Sequence, residues 1–381
     1  MEALDLLSGD AHGFLTGPWA SYAHVHKADA DVLRELLSLD DVDTLLTSTA
    51  LRAPALRVAQ DGAVLPSSRF TRHATISGES LTGLVDARKV VDLYDGGATL
   101  VLQGLHRYWQ PLTLLVRDLE RSLGHPCQAN AYLTPRGAQG FALHEDSHDV
   151  FVFQTFGTKQ WEIHDRGNPT DVLMEPGTSM YLPTGTPHAA RAQETASLHV
   201  TIGINQTSYR DTIKRVVADL LESPAYADRL PAGWLDSPET LAAGLARRLR
   251  TLADELGQVE PAPLAAREVT RFLSTRSPGL RGAIVDRVDL DSLEDTSPLV
   301  RRPGAVGELQ ASPSAPDRVV LLLGDRTMSL PAYVAPAVQR LLAVPDGTAF
   351  APADLSDLLD PTSRLVLVRR LVREGLLRVS G

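Results

Sequence analysis

Histidine and carboxylate side chains a few residues apart can close on one metal ion, and Phe141-Ala-Leu-His144-Glu-Asp146-Ser-His148 offers two such spacings. As His144-Glu145-x-x-His148 it matches the zinc-peptidase pattern, two histidines one helical turn apart with the glutamate as base. That pattern needs a helix. Val150-Phe151-Val152-Phe153 follows at once, β-branched and aromatic, and Gly137 and Gly140 stand close before, so local propensity favours extended chain. Along a strand, residues four apart are roughly 13 Å apart at ~3.3 Å per residue, too far to share one zinc. Phe151 also stands where the longer zincin motif wants glycine.

As His144-x-Asp146, the same segment puts an imidazole and a carboxylate on one face of a strand. A third candidate lies 42 residues further on, in Glu175-Pro-Gly-Thr-Ser-Met-Tyr-Leu-Pro-Thr-Gly-Thr-Pro-His188. There a Pro-Gly turn, a short apolar strand and a second Pro/Gly turn deliver a histidine at a strand start. Two histidines and one carboxylate on one face of a metal leave three positions open, the arrangement that suits ferrous iron and oxygen chemistry. His148, His164 and His199 lie nearby but read as packed or surface groups, with His199 a candidate support for a ligand.

The surrounding elements must hold these three residues together. From 126 to 205 short apolar runs, Val150 to Phe153 and Ser197 to Ile204 among them, alternate with turn clusters at 134–137, 165–169, 175–177 and 183–185. This spacing predicts a β-sandwich or jelly roll. From 209 the period turns helical: Ile213, Val216, Val217, Leu220 and Leu221 share a face. Ser237 as N-cap, Pro238 at the first helical position, the stripe Leu241, Leu245, Leu249, Leu252, Leu256 and the stop Gly257 predict a second helix. A third stripe, Leu264, Val269, Phe272 and Leu273, ends before Ser277-Pro278-Gly279. The leucine stripe fits a dimer interface or a cover for the β domain. Gln310 to Pro316 reads as a linker. Beyond it strands at Val319–Leu323 and Thr327–Leu330, helical starts near Pro331, Pro352 and Pro361 and a last strand at Leu376–Val379 have the order of a winged helix. Arg369, Arg370 and Arg373 on its last helix read as a solvated face.

Composition narrows the classes. The chain has 381 residues, 43% hydrophobic and 22% charged, enough for two or three domains and ample core. Its mean hydropathy is -0.07 and no stretch approaches the ~18 apolar residues of a membrane span. The N-terminal MEALDLLSGDAHGF has acids where a signal peptide has a basic start, so a cytoplasmic protein is expected. Cys127, the one cysteine, has no disulfide partner and reads as a buried small hydrophobe. A net charge of -10 argues against coating nucleic acid and suits a basic partner.

The run Asn130-Ala-Tyr132-Leu-Thr-Pro135-x-Gly137-x-Gln139-Gly140-Phe141-x-x-His144-x-Asp146, then Val152-x-Gln154-x-x-Gly157-x-Lys159-x-Trp161, resembles the ribosomal oxygenase branch of the JmjC oxygenases. Pro176-Gly177-x-x-x-Tyr181-x-Pro183-x-Gly185-x-x-His188 is similar to that family's second cupin motif. The close match spans about 126 to 205, and the later segments repeat the family's domain order. The resemblance implies an α+β chain: a double-stranded β-helix JmjC domain over 1–208, a helical dimerisation segment over 209–290 and a winged-helix-like domain over 291–381, with a linker near 308–317. It implies Fe(II) on His144, Asp146 and His188, and 2-oxoglutarate with its distal carboxylate on Lys159. A dicarboxylate held deep in a barrel needs such an opposing charge. Asn130, Tyr132 and Thr201 match positions lining the cosubstrate pocket, whereas Gly203 stands where relatives often carry a hydroxyl, so that one contact is expected to pass to water. The implied activity uses O2 to hydroxylate an arginine or histidine of a ribosomal or other basic protein, in a homodimer. Two rivals remain from other classes, a non-catalytic cupin with a DNA-binding winged helix and the zinc peptidase.

Overall fold

Alternation builds the first sheet. In Cys127–Thr134 the odd-numbered residues Cys127, Ala129, Ala131 and Leu133 turn into an apolar core, while Gln128, Asn130, Tyr132 and Thr134 turn the other way. Ser197–Ile204 repeats the pattern, with Leu198, Val200, Ile202 and Ile204 in the core and His199 and Thr201 opposite. The computed structural model describes residues 2–138, 142–191, 195–288, 290–312 and 315–380. Gln139, Gly140 and Phe141 of the motif run, and Pro313 and Ser314 of the expected linker, lie outside them.

The chain divides into two units, 1–206 and 207–381. The first carries strands β1 (His24–Lys27), β2 (Leu56–Gln60), β3 (Ala63–Val64), β4 (Thr71–Ile76), β5 (Glu79–Val85), β6 (Thr99–Leu102), β7 (Cys127–Thr134), β8 (Asp149–Phe156), β9 (Lys159–Asp165), β10 (Asn168–Met174), β11 (Thr178–Leu182), β12 (His188–Arg191) and β13 (Ser197–Ile204). The larger sheet runs β1-β11-β8-β13-β7-β6-β2-β3, the smaller β10-β9-β12, and β4-β5 is a separate ribbon. Its pairings are antiparallel. Val150, Val152, Met180 and Leu182 of the large sheet meet Trp161, Ile163 and Met174 of the small one, so the two sheets face each other over a second, smaller core. This is a cupin-type fold with mixed helices and sheets.

Six helices go with the large sheet: α1 (Ala3–Ser8), α2 (Ala11–Thr16), α3 (Ala30–Leu36), α4 (Leu39–Thr47), α5 (Ala87–Asp95) and α6 (Gln110–Leu123). Ser38 and Asp41 form a capping box that starts α4. Pro111 in the first turn starts α6, and Gly124, left-handed at φ 69°, ends it. Leu112, Leu115, Val116 and Leu119 of α6 bury against the sheet's outer face with Phe151 and Phe153. Cys127 lies in the same core, as expected of a small buried hydrophobe.

The second unit starts with α7 (Tyr209–Leu221), α8 (Pro238–Gly257), α9 (Pro261–Ser274) and α10 (Ala283–Val288). The periodicity locates the first three well. Ser237 does stand before α8, but its side chain makes no capping hydrogen bond. Leu245 and Leu249 are exposed, and neither α8 nor α9 contains a fully buried residue. Strands β14 (Leu299–Arg301), β15 (Glu308–Ala311), β16 (Arg318–Leu322), β17 (Thr327–Pro331) and β18 (Leu377–Val379) follow, with helices α11 (Ala335–Ala343) and α12 (Pro361–Arg373). The expected linker is therefore partly strand: Leu309 pairs with Leu321 and Ala311 with Val319 at the edge of a three-stranded sheet. Leu309 packs on the core, so four residues order before the Ser/Pro run begins. The helical start near Pro352 is only a short 3-10 turn. Arg369 is not a purely solvated group, since it donates to the carbonyls of Asp291 and Leu293.

Candidate metal centre

The segment 142–148 is neither helix nor strand. His144 makes one isolated antiparallel bridge to His188: each backbone N–H donates to the other's carbonyl, at 3.0 and 2.8 Å. The zinc-peptidase pattern is thereby corrected, since no helical turn brings His144 and His148 together. The strand expected to hold His144 and Asp146 is corrected too. One bridge fixes His144, and the carbonyl of Asp146 accepts from Gly185 N at 3.0 Å, which ties the loop to the turn before His188.

That turn is itself anchored. Asp149, fully buried at the start of β8, accepts from Thr184 N and Thr184 Oγ1, both at 2.7 Å, and from the Tyr181 hydroxyl. Three donors satisfy its carboxylate, and they fix the Pro183–Gly185 turn against β8. Asp149 was not singled out in the sequence. The available signal was an acid opening an otherwise apolar strand.

His144, Asp146 and His188 come together: one ligand atom from each lies within 4.8 Å of the others. His188 Nε2 stands 3.8 Å from Asp146 Oδ2, and the two imidazole centroids are 4.4 Å apart. His188 Nδ1 donates to the Thr186 carbonyl at 2.9 Å and His144 Nδ1 to the Ala142 carbonyl at 2.8 Å. Both bonds favour the tautomer that leaves Nε2 free to bind a cation. His188 is buried beside Trp161, whose ring stacks on it at 5.7 Å. Burial lowers its proton affinity, which keeps it a neutral ligand. Glu145 is exposed.

Behind the triad the inner face carries polar side chains. Lys159 at the head of β9 is 4% exposed, and its Nζ donates to Thr134 Oγ1 at 3.1 Å. No carboxylate pairs with it among the described residues, and burial lowers its pKa to about 8. His199 is buried, with Nδ1 lacking a partner. Burial, then the nearby Lys159 charge, hold it neutral well below the usual histidine range. Tyr132 stacks flat on His199 at 4.9 Å and hydrogen-bonds the side chains of Thr201 and Arg57. Burial raises its phenol pKa, so it remains a donor. Asn130 is engaged structurally, its Oδ1 accepting from Gly104 N at 2.9 Å. At Gly203 a Cβ would stand 2.8 Å from His148 Nε2, so the place of the expected hydroxyl is taken by the His148 ring. Thr134 and Arg57, like Asp149, were missed: Thr134 stands in the motif run but was given no role, and Arg57 lies off it, brought here only by sheet register.

Two imidazoles and a carboxylate at one end of a barrel, with a buried lysine further in, define a JmjC-type cupin site. The family described as JmjC domain matches residues 109–170 and 164–212. Ribosomal oxygenase 2 of Mus musculus is 33% identical over 187 residues, covering 42% of this chain and 40% of its own. The bifunctional lysine-specific demethylase and histidyl-hydroxylase NO66 of Branchiostoma floridae is 35% identical over 162 residues, 40% of this chain and 26% of its own. The chain thus spans less than half the length of these relatives. The structure of the Escherichia coli ribosomal oxygenase YcfD superposes over 97% of this chain and 98% of its own, with a TM-score of 0.55 at 21% identity. Residues 109–212 thus match a JmjC domain, and the chain is similar to ribosomal oxygenases over that region.

Proposed function

We propose that the protein is an Fe(II)- and 2-oxoglutarate-dependent oxygenase that hydroxylates an arginine or histidine side chain of a basic, ribosomal protein. The observation that carries this is one inner face holding both the His144–Asp146–His188 cluster and a buried Lys159 with no carboxylate partner among the described residues. The residues fit both groups. A 2-His-1-carboxylate set suits ferrous iron with open positions, and the lysine ammonium with the unpartnered His199 Nδ1 suits a buried carboxylate.

When bound, iron and 2-oxoglutarate supply the oxidation by O2 that turns a C–H bond into C–OH. The chain's own share is placement. His144 and His188 present Nε2, Asp146 completes the set, and the turn held by Asp149 keeps His188 in register. Lys159 and Thr134 orient the far carboxylate, while Tyr132, Thr201 and Asn130 line the space between. The net charge of -10 favours encounter with basic partners. The exposed leucines of α8 fit a homodimer, and β14–β18 with α11 and α12 fit a winged helix. No helix among the described residues is long and apolar enough to cross a membrane. A ribosomal-protein substrate suits an enzyme of the cytoplasm.

Incubation with Fe(II), 2-oxoglutarate and purified ribosomal proteins should give succinate and a one-oxygen mass gain on one of them. Absence of both across the whole set ends this proposal. His188→Ala or Asp146→Ala should cut succinate release at least about a thousandfold, roughly 4 kcal/mol of barrier. Glu145→Ala should stay within about twofold, the reverse of what a zinc peptidase predicts.

A further inference from the structure

Arg57 has no place in the metal site or the cosubstrate pocket as described, yet it faces them. Its neighbours on β2, Leu56 and Val58, are buried in the first core, so Arg57 must turn to the inner face. Register confirms the row: Arg57 lies opposite Val101, Val101 opposite Tyr132, and Tyr132 opposite His199. The guanidinium hydrogen-bonds the Tyr132 side chain, and that phenol also feels the charge of Asp146. Arg57 Nε is buried with no partner, and no carboxylate pairs with Arg57 among the described residues. A long cation of this kind, fixed by one phenol and carrying a spare donor, is set to receive an acceptor atom.

We propose that Arg57, with Tyr132, reads the side chain to be hydroxylated and selects a neutral acceptor, a histidine imidazole, over a cationic arginine. This rests on the oxygenase function above. With Lys159 assigned to the cosubstrate carboxylate, Arg57 is a second inward cation, bonded to Tyr132, whose phenol feels the metal-site Asp146. A substrate guanidinium there would meet a like charge, and it has no acceptor to offer the Arg57 Nε–H. A neutral imidazole offers a ring nitrogen to the Arg57 and Tyr132 donors. Arg57 touches substrate in this scheme and leaves the cosubstrate to Lys159.

The test uses the full chain and two measurements. In the first, total ribosomal proteins are incubated with Fe(II), 2-oxoglutarate and either wild type or Arg57→Gln, and the oxidised residue is mapped by peptide mass spectrometry. In the second, 2-oxoglutarate binding is titrated on the Mn(II)-loaded proteins, without turnover. Wild type should place oxygen on histidine. Arg57→Gln should lower that product at least tenfold while binding 2-oxoglutarate within twofold of wild type, which also shows that it is folded. Arg57→Lys should recover part of the loss. Oxygen on arginine overturns the inference, and so does an Arg57→Gln defect confined to 2-oxoglutarate binding or an unchanged histidine yield. Wild type releasing no succinate from any mixture removes the oxygenase function itself, a different result from succinate with oxygen on the wrong residue.

Discussion

Each unit buries a cation, and the two are treated in opposite ways. In the second unit Arg302, 2% exposed, pairs with Asp286 and donates to the carbonyls of Arg281, Gly375 and Leu377, while Asp286 also accepts from Val379 N. Every one of those partners belongs to the same unit, so the network closes on itself and ties α10 to the β18 end of the chain. In the first unit Lys159 has one hydroxyl, Thr134, and no anion among the described residues. Burying an ammonium that way costs free energy that packing must offset. A closed network is what stability alone requires; an open one is what remains when the partner is a ligand.

The contrast breaks if the two sites respond alike. Asp286→Ala strands Arg302 without its charge partner, and removing one member of a buried pair costs about 3–5 kcal/mol. The expected outcome is a large drop in the denaturation midpoint, read by circular dichroism, with 2-oxoglutarate binding to the first unit retained. Lys159→Met should do the reverse. It removes a poorly compensated buried charge, so unliganded stability should hold or rise, while 2-oxoglutarate affinity on the Mn(II)-loaded protein should fall about tenfold to a hundredfold. That is the loss expected for a hydrogen bond to a charged group, about 1.5–3 kcal/mol. A destabilised Lys159→Met protein with normal 2-oxoglutarate affinity would make Lys159 a structural residue like Arg302.

Local sequence carried the centre of this site and little of its frame. His144, Asp146 and His188 were visible because ligand type, spacing and a turn-delimited strand coincide in short segments. Lys159 needed the family resemblance, since beside Gly157 it looks like a hairpin lysine. The roles of Asp149, Thr134 and Arg57 were not visible, because their partners lie on other strands. Arg57 meets Tyr132 across β2, β6 and β7, Thr134 meets Lys159 on β9, and Asp149 meets Tyr181 on β11, and such partners are set by the whole fold. The expected strand at His144 became a single bridge for the same reason: its hydrogen bonds come from His188, far along the chain. At Glu308–Ala311 composition misled in the other direction. A Ser/Pro run just beyond suggested a linker, whereas pairing with β16 and the packing of Leu309 order those four residues.

The two buried cations also differ in how pH reaches them. A guanidinium keeps its charge at any working pH, but Lys159 is held near 8 by burial and so titrates within reach. Its charged form is disfavoured in the unliganded fold relative to the unfolded chain, where a lysine titrates near ~10.4. The penalty is full below about 8 and is relieved as pH rises from there toward the unfolded value. Wild-type stability, measured as the difference from Lys159→Met, should therefore increase through that window. Ligand binding should run the other way, because a dicarboxylate wants the ammonium. Between pH 7 and pH 9 the charged fraction of a group titrating near 8 falls about tenfold, so 2-oxoglutarate affinity should weaken by about that factor. Lys159→Met should be flat over the same range. Opposite slopes from one residue, stability rising while affinity falls, are the signature of a cation kept open for an anionic ligand. Parallel slopes would mean that the charge serves the fold.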